Sequence, residues 1–124
     1  MAEGPLSDLF VTEVANYIAA PAAGAVLADL GARVIHVEHV NGDPYRGYRL
    51  GGSGFQAGSG GEDLAFQVDN RGKESIALDL RSPDGVEVLA KLLERSDVMI
   101  TNLADPQLRT MGLDADSVKA KHPK

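Results

Sequence analysis

Leu27-Ala28-Asp29-Leu30-Gly31-Ala32-Arg33-Val34-Ile35-His36-Val37-Glu38 reads as the end of a helix, a glycine stop and a strand. Upstream, Pro21 falls in a first helical turn, where a missing N–H is tolerated, and Ala23, Val26, Leu27 and Leu30 recur as one apolar face. Gly31 supplies the left-handed residue that ends the helix. Residues 33–38 are β-branched and mostly apolar, the pattern of a strand covered on both faces, which is typical of parallel sheets.

The same alternation extends in both directions. Residues 9–14 read as a strand ahead of the helix, and residues 75–80 as a further strand. Ser82 is placed to cap a helix opened by Pro83, with Val86, Leu89, Leu92 and Leu93 on its buried side and Arg95 near its end. Residues 97–101 form the next strand. Two short helical pieces follow, one over 106–111 and one opened by Asp114. The expectation is an α/β fold: a Rossmann-like open parallel sheet with flanking helices and right-handed crossovers, truncated after its fourth strand. Ligands of such sheets bind outside the carboxyl ends of the strands, here 14–20, 38–43, 80–82 and 102–106. An unfinished sheet leaves an open edge, so self-association is expected.

Composition bounds what such a domain does. The 124 residues suit one domain, 1–124, and 44% apolar against 24% charged residues suit a packed core. Eighteen acidic against twelve basic residues give a net charge of −6. That balance excludes the basic face of a duplex nucleic-acid binder and a polybasic membrane surface. Without cysteine, disulfides, thiolate nucleophiles and cysteine-ligated metals are impossible. The start, Met1-Ala2-Glu3-Gly4-Pro5, lacks the basic and apolar regions of a signal peptide, and no run is long enough to span a bilayer. A cytoplasmic protein is expected.

Residues 42–61 hold eight glycines and few large apolar side chains, which reads as a long mobile loop. Tyr45, Arg46, Tyr48 and Arg49 make it the one dense aromatic and cationic patch, suited to a lid over an anion or to ordinary solvated turns. Ala57-Gly58-Ser59-Gly60-Gly61 falls one residue short of G-x-S-x-G and lacks the flanking strand and helix of a nucleophile elbow. Ala19-Ala20-Pro21-Ala22-Ala23-Gly24 stands where a dinucleotide site carries its first glycines; its small side chains still admit an anion near the helix N-terminus. Glu38 sits where a ribose-binding acid would. His36, Glu38 and His39 suggest a metal cluster, but on a strand His39 points away from the other two, and an exposed edge is the simpler expectation for them.

Several blocks in register resemble the N-terminal part of the class III CoA-transferases (the CaiB/BaiF-like family, which includes CoA-ester racemases). They are 27–38; Gly42-Asp43-Pro44-Tyr45-Arg46-Gly47, similar to a Gly-Asp-x-x-Arg loop; and Asn70-Arg71-Gly72-Lys73-Glu74-Ser75-Ile76-Ala77-Leu78-Asp79-Leu80, similar to Asn-x-x-Lys-x-Ser-x-x-Leu-Asp-Leu. Ser82-Pro83-Asp84-Gly85, Asp97-Val98-Met99-Ile100-Thr101-Asn102 and Leu108-Arg109-Thr110-Met111-Gly112-Leu113 complete the series.

The resemblance implies interlocked homodimers and a site for CoA or acyl-CoA along the strand ends. The thioester is a substrate, with no tightly bound cofactor and no metal. By the resemblance the site falls at residues 17–19, His39, Leu78, Arg81, Asn102, Leu103, Thr110 and Met111, with Ala19, His39, Leu78, Arg81, Asn102 and Met111 as the candidate cofactor-binding residues. Arg81 replaces a lysine; Ile18 stands where transferases often carry glutamine, His39 and Thr110 where arginine is common, and Leu103 where phenylalanine is usual. A charge-assisted bond to phosphate is worth roughly 1.5–3 kcal/mol, so the missing arginines weaken the site unless Arg46, Arg71 or Lys73 compensates. Family transferases attack the thioester with an aspartate carboxylate. The resemblance places that aspartate, and the racemases' acid–base pair, beyond Lys124, so no catalytic residue is assigned. The expectation is a truncated gene product, a subunit fragment or an engineered piece that is inactive alone and pairs with itself or with the missing C-terminal part. The alternatives are a non-catalytic binding or assembly module with a decayed CoA site, and the corresponding part of a racemase.

Overall fold

The computed structural model describes residues 4–46 and 63–124. The order of elements is β1 (Phe10–Val14), α1 (Ala19–Asp29), β2 (Arg33–Glu38), α2 (Leu64–Asn70), β3 (Glu74–Ala77), α3 (Pro83–Arg95), β4 (Val98–Thr101), α4 (Asp105–Met111) and α5 (Ala115–Lys121). The four strands form one parallel sheet in the order β3-β2-β1-β4. The chain thus starts in the middle of the sheet, runs outward through β2 to β3 and crosses back to β4. The fold is the expected α/β arrangement, and β1 and β2 carry its centre.

Strand alternation sends successive side chains to opposite faces. On one face, Val14 and Val37 join Leu78, Leu89, Leu93 and Leu113 in an apolar core beneath α3. On the other, Val11, Ala32 and Val34 pack with Leu27 and Ala28 of α1. Further along that second face, Glu13, His36 and Glu38 replace the apolar residues, and all three are buried. The exposed edge expected for His36 and Glu38 is therefore wrong: they do share a face, but β2 lies inside the sheet and both are covered.

The apolar face expected for α1 holds only in part. Leu27 packs on the sheet, but Ala23 is exposed, and Val26 is 51% and Leu30 41% exposed. The buried residues are Ala20, Pro21, Gly24 and Ala25, over the polar strip. A Cβ on Gly24 would lie 1.8 Å from Glu13 Oε2, so glycine alone fits there. Gly31 does end α1 as expected, at φ 101°. On α3, Leu89 and Leu93 are buried and Leu92 packs beside them, whereas Val86 is exposed. Ser82 caps α3 by accepting from the Gly85 N–H.

The seven-residue α2 was not expected. Asp63 caps it by accepting from the Phe66 N–H at 3.1 Å, and α2 packs along α1. The strand expected over 75–80 is shorter, ending at Ala77. The expected glycine-rich loop is anchored at its start, with Asp43 and Tyr45 both buried. Its remainder, including Tyr48, Arg49 and the 57–61 serine motif, lies outside the described residues.

Candidate functional site

A cleft of about 290 Å³ opens at the carboxyl ends of the strands, the side on which open parallel sheets bind their ligands. Val14, Ala15 and Asn16 follow β1, Glu38 and His39 end β2, Leu78 to Arg81 follow β3, and Leu103, Gln107 and Met111 close the far side. Four of the expected site residues, His39, Leu78, Arg81 and Met111, are brought together here. Leu103 lines it as well. Ala19 opens α1 outside the lining, and Thr110 turns its hydroxyl back to the Pro106 carbonyl at 2.9 Å.

Asn102 acts on the cleft through the backbone. Its amide oxygen accepts from the Asn16 N–H at 3.1 Å, and its Nδ2 donates to the Asn16 carbonyl at 2.7 Å. It thereby fixes the turn between β1 and α1. The next residue, Tyr17, is the one non-glycine with positive φ among the described residues, at 64°.

His39 and Arg81 meet at the cleft. The His39 Nδ1 accepts from the Asn41 N–H at 3.1 Å. Arg81 Nη2 stands 3.4 Å from the His39 Nε2. The Arg81 guanidinium and the His39 ring therefore lie side by side at the cleft. Asp79 steadies Arg81: its Oδ1 accepts from the Arg81 N–H at 3.0 Å and from Nε at 3.2 Å. Those two bonds, the backbone one first, hold the Asp79 carboxyl below its usual range.

The other cations named as compensators are committed elsewhere. Arg46 grips Glu38 with Nε to Oε2 at 2.8 Å and Nη2 to Oε1 at 2.7 Å, and its guanidinium lies 3.9 Å over the Phe66 ring. Arg71 pairs with Asp29 on the surface. Lys73 is buried, donating to Glu13 Oε1 at 3.0 Å, the Pro21 carbonyl at 2.7 Å and Asn70 Oδ1 at 3.0 Å. Burial pushes the Lys73 ammonium below its ordinary pKa, against the pull of Glu13. None of the three reaches the cleft.

Glu38 is likewise unavailable to a ribose. It accepts from Arg46, from Ser75 Oγ at 2.6 Å and from the Asp43 N–H at 2.8 Å. The Arg46 hydrogen bonds chiefly hold its carboxyl down to about 2. His36 lies between Glu13 Oε1, 2.7 Å from Nδ1, and Asp43 Oδ2, 3.3 Å from Nε2. His36, Glu38 and His39 thus serve three separate contacts and form no metal cluster. Sequence reasoning missed this buried network, although Glu13 and His36 were legible as neighbours once β1 and β2 were paired. It also missed Gln107, which only the strand-end rule combined with the position of α4 brings to the cleft.

A four-stranded parallel sheet with flanking helices and a cleft at its carboxyl ends defines an open α/β domain. The model of CoA-transferase family III matches residues 6–124, and the chain belongs to that family. It is 36% identical over 118 residues to the (R)-2-hydroxy-4-methylpentanoate CoA-transferase of Clostridioides difficile, covering 95% of this chain and 29% of that protein. Against the cinnamoyl-CoA:phenyllactate CoA-transferase of Clostridium sporogenes it is 40% identical over 118 residues, covering 95% and 28%. A CAIB/BAIF family protein from Brucella suis superimposes with a TM-score of 0.83 at 38% identity, covering 97% of this chain and 31% of that one. The chain therefore spans less than a third of the length of these relatives.

Proposed function

We propose that this chain supplies the CoA-binding face of a class III CoA-transferase, an enzyme that moves CoA between carboxylic acids. The observation that carries the reading is the His39–Arg81 pair at a cleft formed by the strand ends. Ala19, His39, Leu78, Arg81, Asn102 and Met111 then form its ligand-binding set: His39 and Arg81 grip phosphate, Leu78 and Met111 give apolar contact, and Asn102 fixes the turn that leads to Ala19. The first turn of α1, without a side-chain cap, offers N–H groups to a further phosphate. A cleft of about 290 Å³ suits part of a nucleotide and not a whole acyl-CoA. Turnover requires an attacking carboxylate that the family resemblance assigns to no position in this chain, so the chain by itself binds without reacting. It works in the cytoplasm, with a second copy of itself or with the remainder of the family fold as its protein partner.

Calorimetric titration with CoA and with pantetheine, which lacks the phosphates, tests this. CoA binds and pantetheine binds at least tenfold more weakly, and Arg81→Gln lowers CoA affinity by about tenfold, the loss of one charge-assisted bond. No heat with CoA up to about 1 mM from a folded protein overturns the reading.

A second reading, a non-catalytic assembly module with a decayed site, is favoured by the commitment of Arg46, Arg71 and Lys73 to carboxylates, which leaves the cleft few cations. It predicts the null titration.

A further inference from the structure

We propose that Asp43 is a positioning residue: its buried carboxylate ties the left-handed Tyr17 of the β1–α1 turn to the segment that follows β2, and so sets the shape of the cleft's rim. The consequence for ligand affinity rests on the CoA-binding reading above; the coupling itself stands on geometry.

Asp43 Oδ1 accepts from the Tyr45 N–H at 2.7 Å and from the Tyr17 N–H at 3.4 Å. One oxygen thus holds two segments that are 26 and 2 residues away in sequence. The rings of Tyr17 and Tyr45 lie tilted against each other, with centroids 6.5 Å apart. Asp43 is itself fixed from behind. Its N–H donates to Glu38 Oε2 at 2.8 Å, and its Oδ2 faces His36 Nε2 at 3.3 Å, an ion-pair distance without a hydrogen bond. His36 is braced in turn by Glu13, and Glu13 by Lys73. Asp43 and His36 are at most 2% exposed, so the carboxylate has little room to change its aim.

Tyr17 needs such a clamp. An L-residue with a side chain is disfavoured at φ 64°, and such a conformation persists where its surroundings over-determine it. Asn102 holds Asn16 from the β4 side, and Asp43 holds Tyr17 from the β2 side. The two residues after Ala15 are therefore pinned between two strands, and Asn16 lines the cleft directly. Releasing Tyr17 lets the backbone relax toward negative φ, which carries Asn16 and the start of α1 with it.

The test pairs a ligand-free readout with affinity. Amide hydrogen exchange followed by NMR should show Tyr17 and Tyr45 protected in the wild-type protein. Asp43→Ala should remove that protection while leaving the β1 amides slow, and should lower CoA affinity about tenfold. Asp43→Asn keeps an acceptor oxygen and should recover most of both losses. In a Tyr17→Gly background, where glycine adopts the same backbone angle unaided, Asp43→Ala should cost less than twofold. An equal loss in the two backgrounds, or unchanged Tyr17 protection in Asp43→Ala, overturns the proposal. If Asp43→Ala does not fold, the wild-type protein still decides: a Tyr17 amide that exchanges like an open loop refutes the clamp. A wild-type protein that binds no CoA overturns the functional reading alone, because the exchange measurement judges the coupling without ligand.

Discussion

Gly24 shows how a single missing side chain shapes the polar half of the sheet. Alanine is the better helix former by about 1 kcal/mol, so a helix considered alone would gain from Gly24→Ala. Here the added Cβ would meet Glu13 Oε2 at 1.8 Å and the Glu13 Cδ at 3.1 Å. That carboxylate cannot retreat without leaving His36 and Lys73. The clash should win, and Gly24→Ala should lower unfolding free energy by about 2–3 kcal/mol, read from urea midpoints. Glu38 supplies a pH prediction of definite sign. Its carboxyl is held at about 2 in the folded protein, against 4.5 when unperturbed, and its side chain is 7% exposed. A lowered carboxyl stabilises the fold above its unfolded pKa and loses that contribution as pH falls toward the folded value. Roughly 3 kcal/mol should therefore drain away between about pH 5 and pH 2. In Arg46→Met, which removes the chief cause, urea midpoints should fall less steeply over the same range; an unchanged slope would show that Arg46 is not the cause.

Among the elements, those with long periodic stretches were readable from sequence and those set by tertiary contacts were not. β2 was legible because Val34, Ile35 and Val37 place three β-branched residues within four positions, and α3 because Ser82, Pro83 and its leucine spacing agree. α1 was legible as a helix, but its buried face was not. Apolar spacing alone selects Val26 and Leu30, whereas the sheet beneath carries Glu13, and α1 buries Ala20, Pro21, Gly24 and Ala25 against it. The signal lay on another element, β1, and a reading along one helix has no access to it. α2 was hidden because seven residues give two turns at most, too few for a period to show. The cleft was half legible for a related reason: His39 and Arg81 fall in the strand-end segments, Leu78 and Met111 came only with the family resemblance, and the Glu13–His36–Asp43 strip depends on pairing three segments. A test at this scale is Lys73→Met. Removing one partner of a buried pair leaves Glu13 charged and covered, which costs about 3–5 kcal/mol, more than the exposed Arg71–Asp29 pair can contribute. Lys73→Met should therefore abolish most of the stability measured by urea unfolding, whereas Arg71→Met should change it by under about 1 kcal/mol.

For the whole molecule, the open question is what meets the outer side of β4. Among the described residues β4 pairs with β1 alone. The Asp97 N–H donates to the Phe10 carbonyl, so by strand alternation the N–H groups of Val98 and Ile100 point away from β1. Beside that edge lies a recess of about 660 Å³ whose lining includes Leu93, Val98, Met99, Leu108, Leu113 and Val118. A strand edge next to an apolar recess is a template for association. Sedimentation velocity should accordingly show the chain associating as its concentration rises, and a monomer at every concentration would refute this. Ile100→Pro provides the control, because it removes an outward N–H without taking a bond from the β1 ladder. That variant should sediment as a smaller species while keeping the α/β circular dichroism of the parent. If it associates as strongly as the parent, the contact runs through the recess and the side chains of α4 and α5, and the strand edge is a bystander.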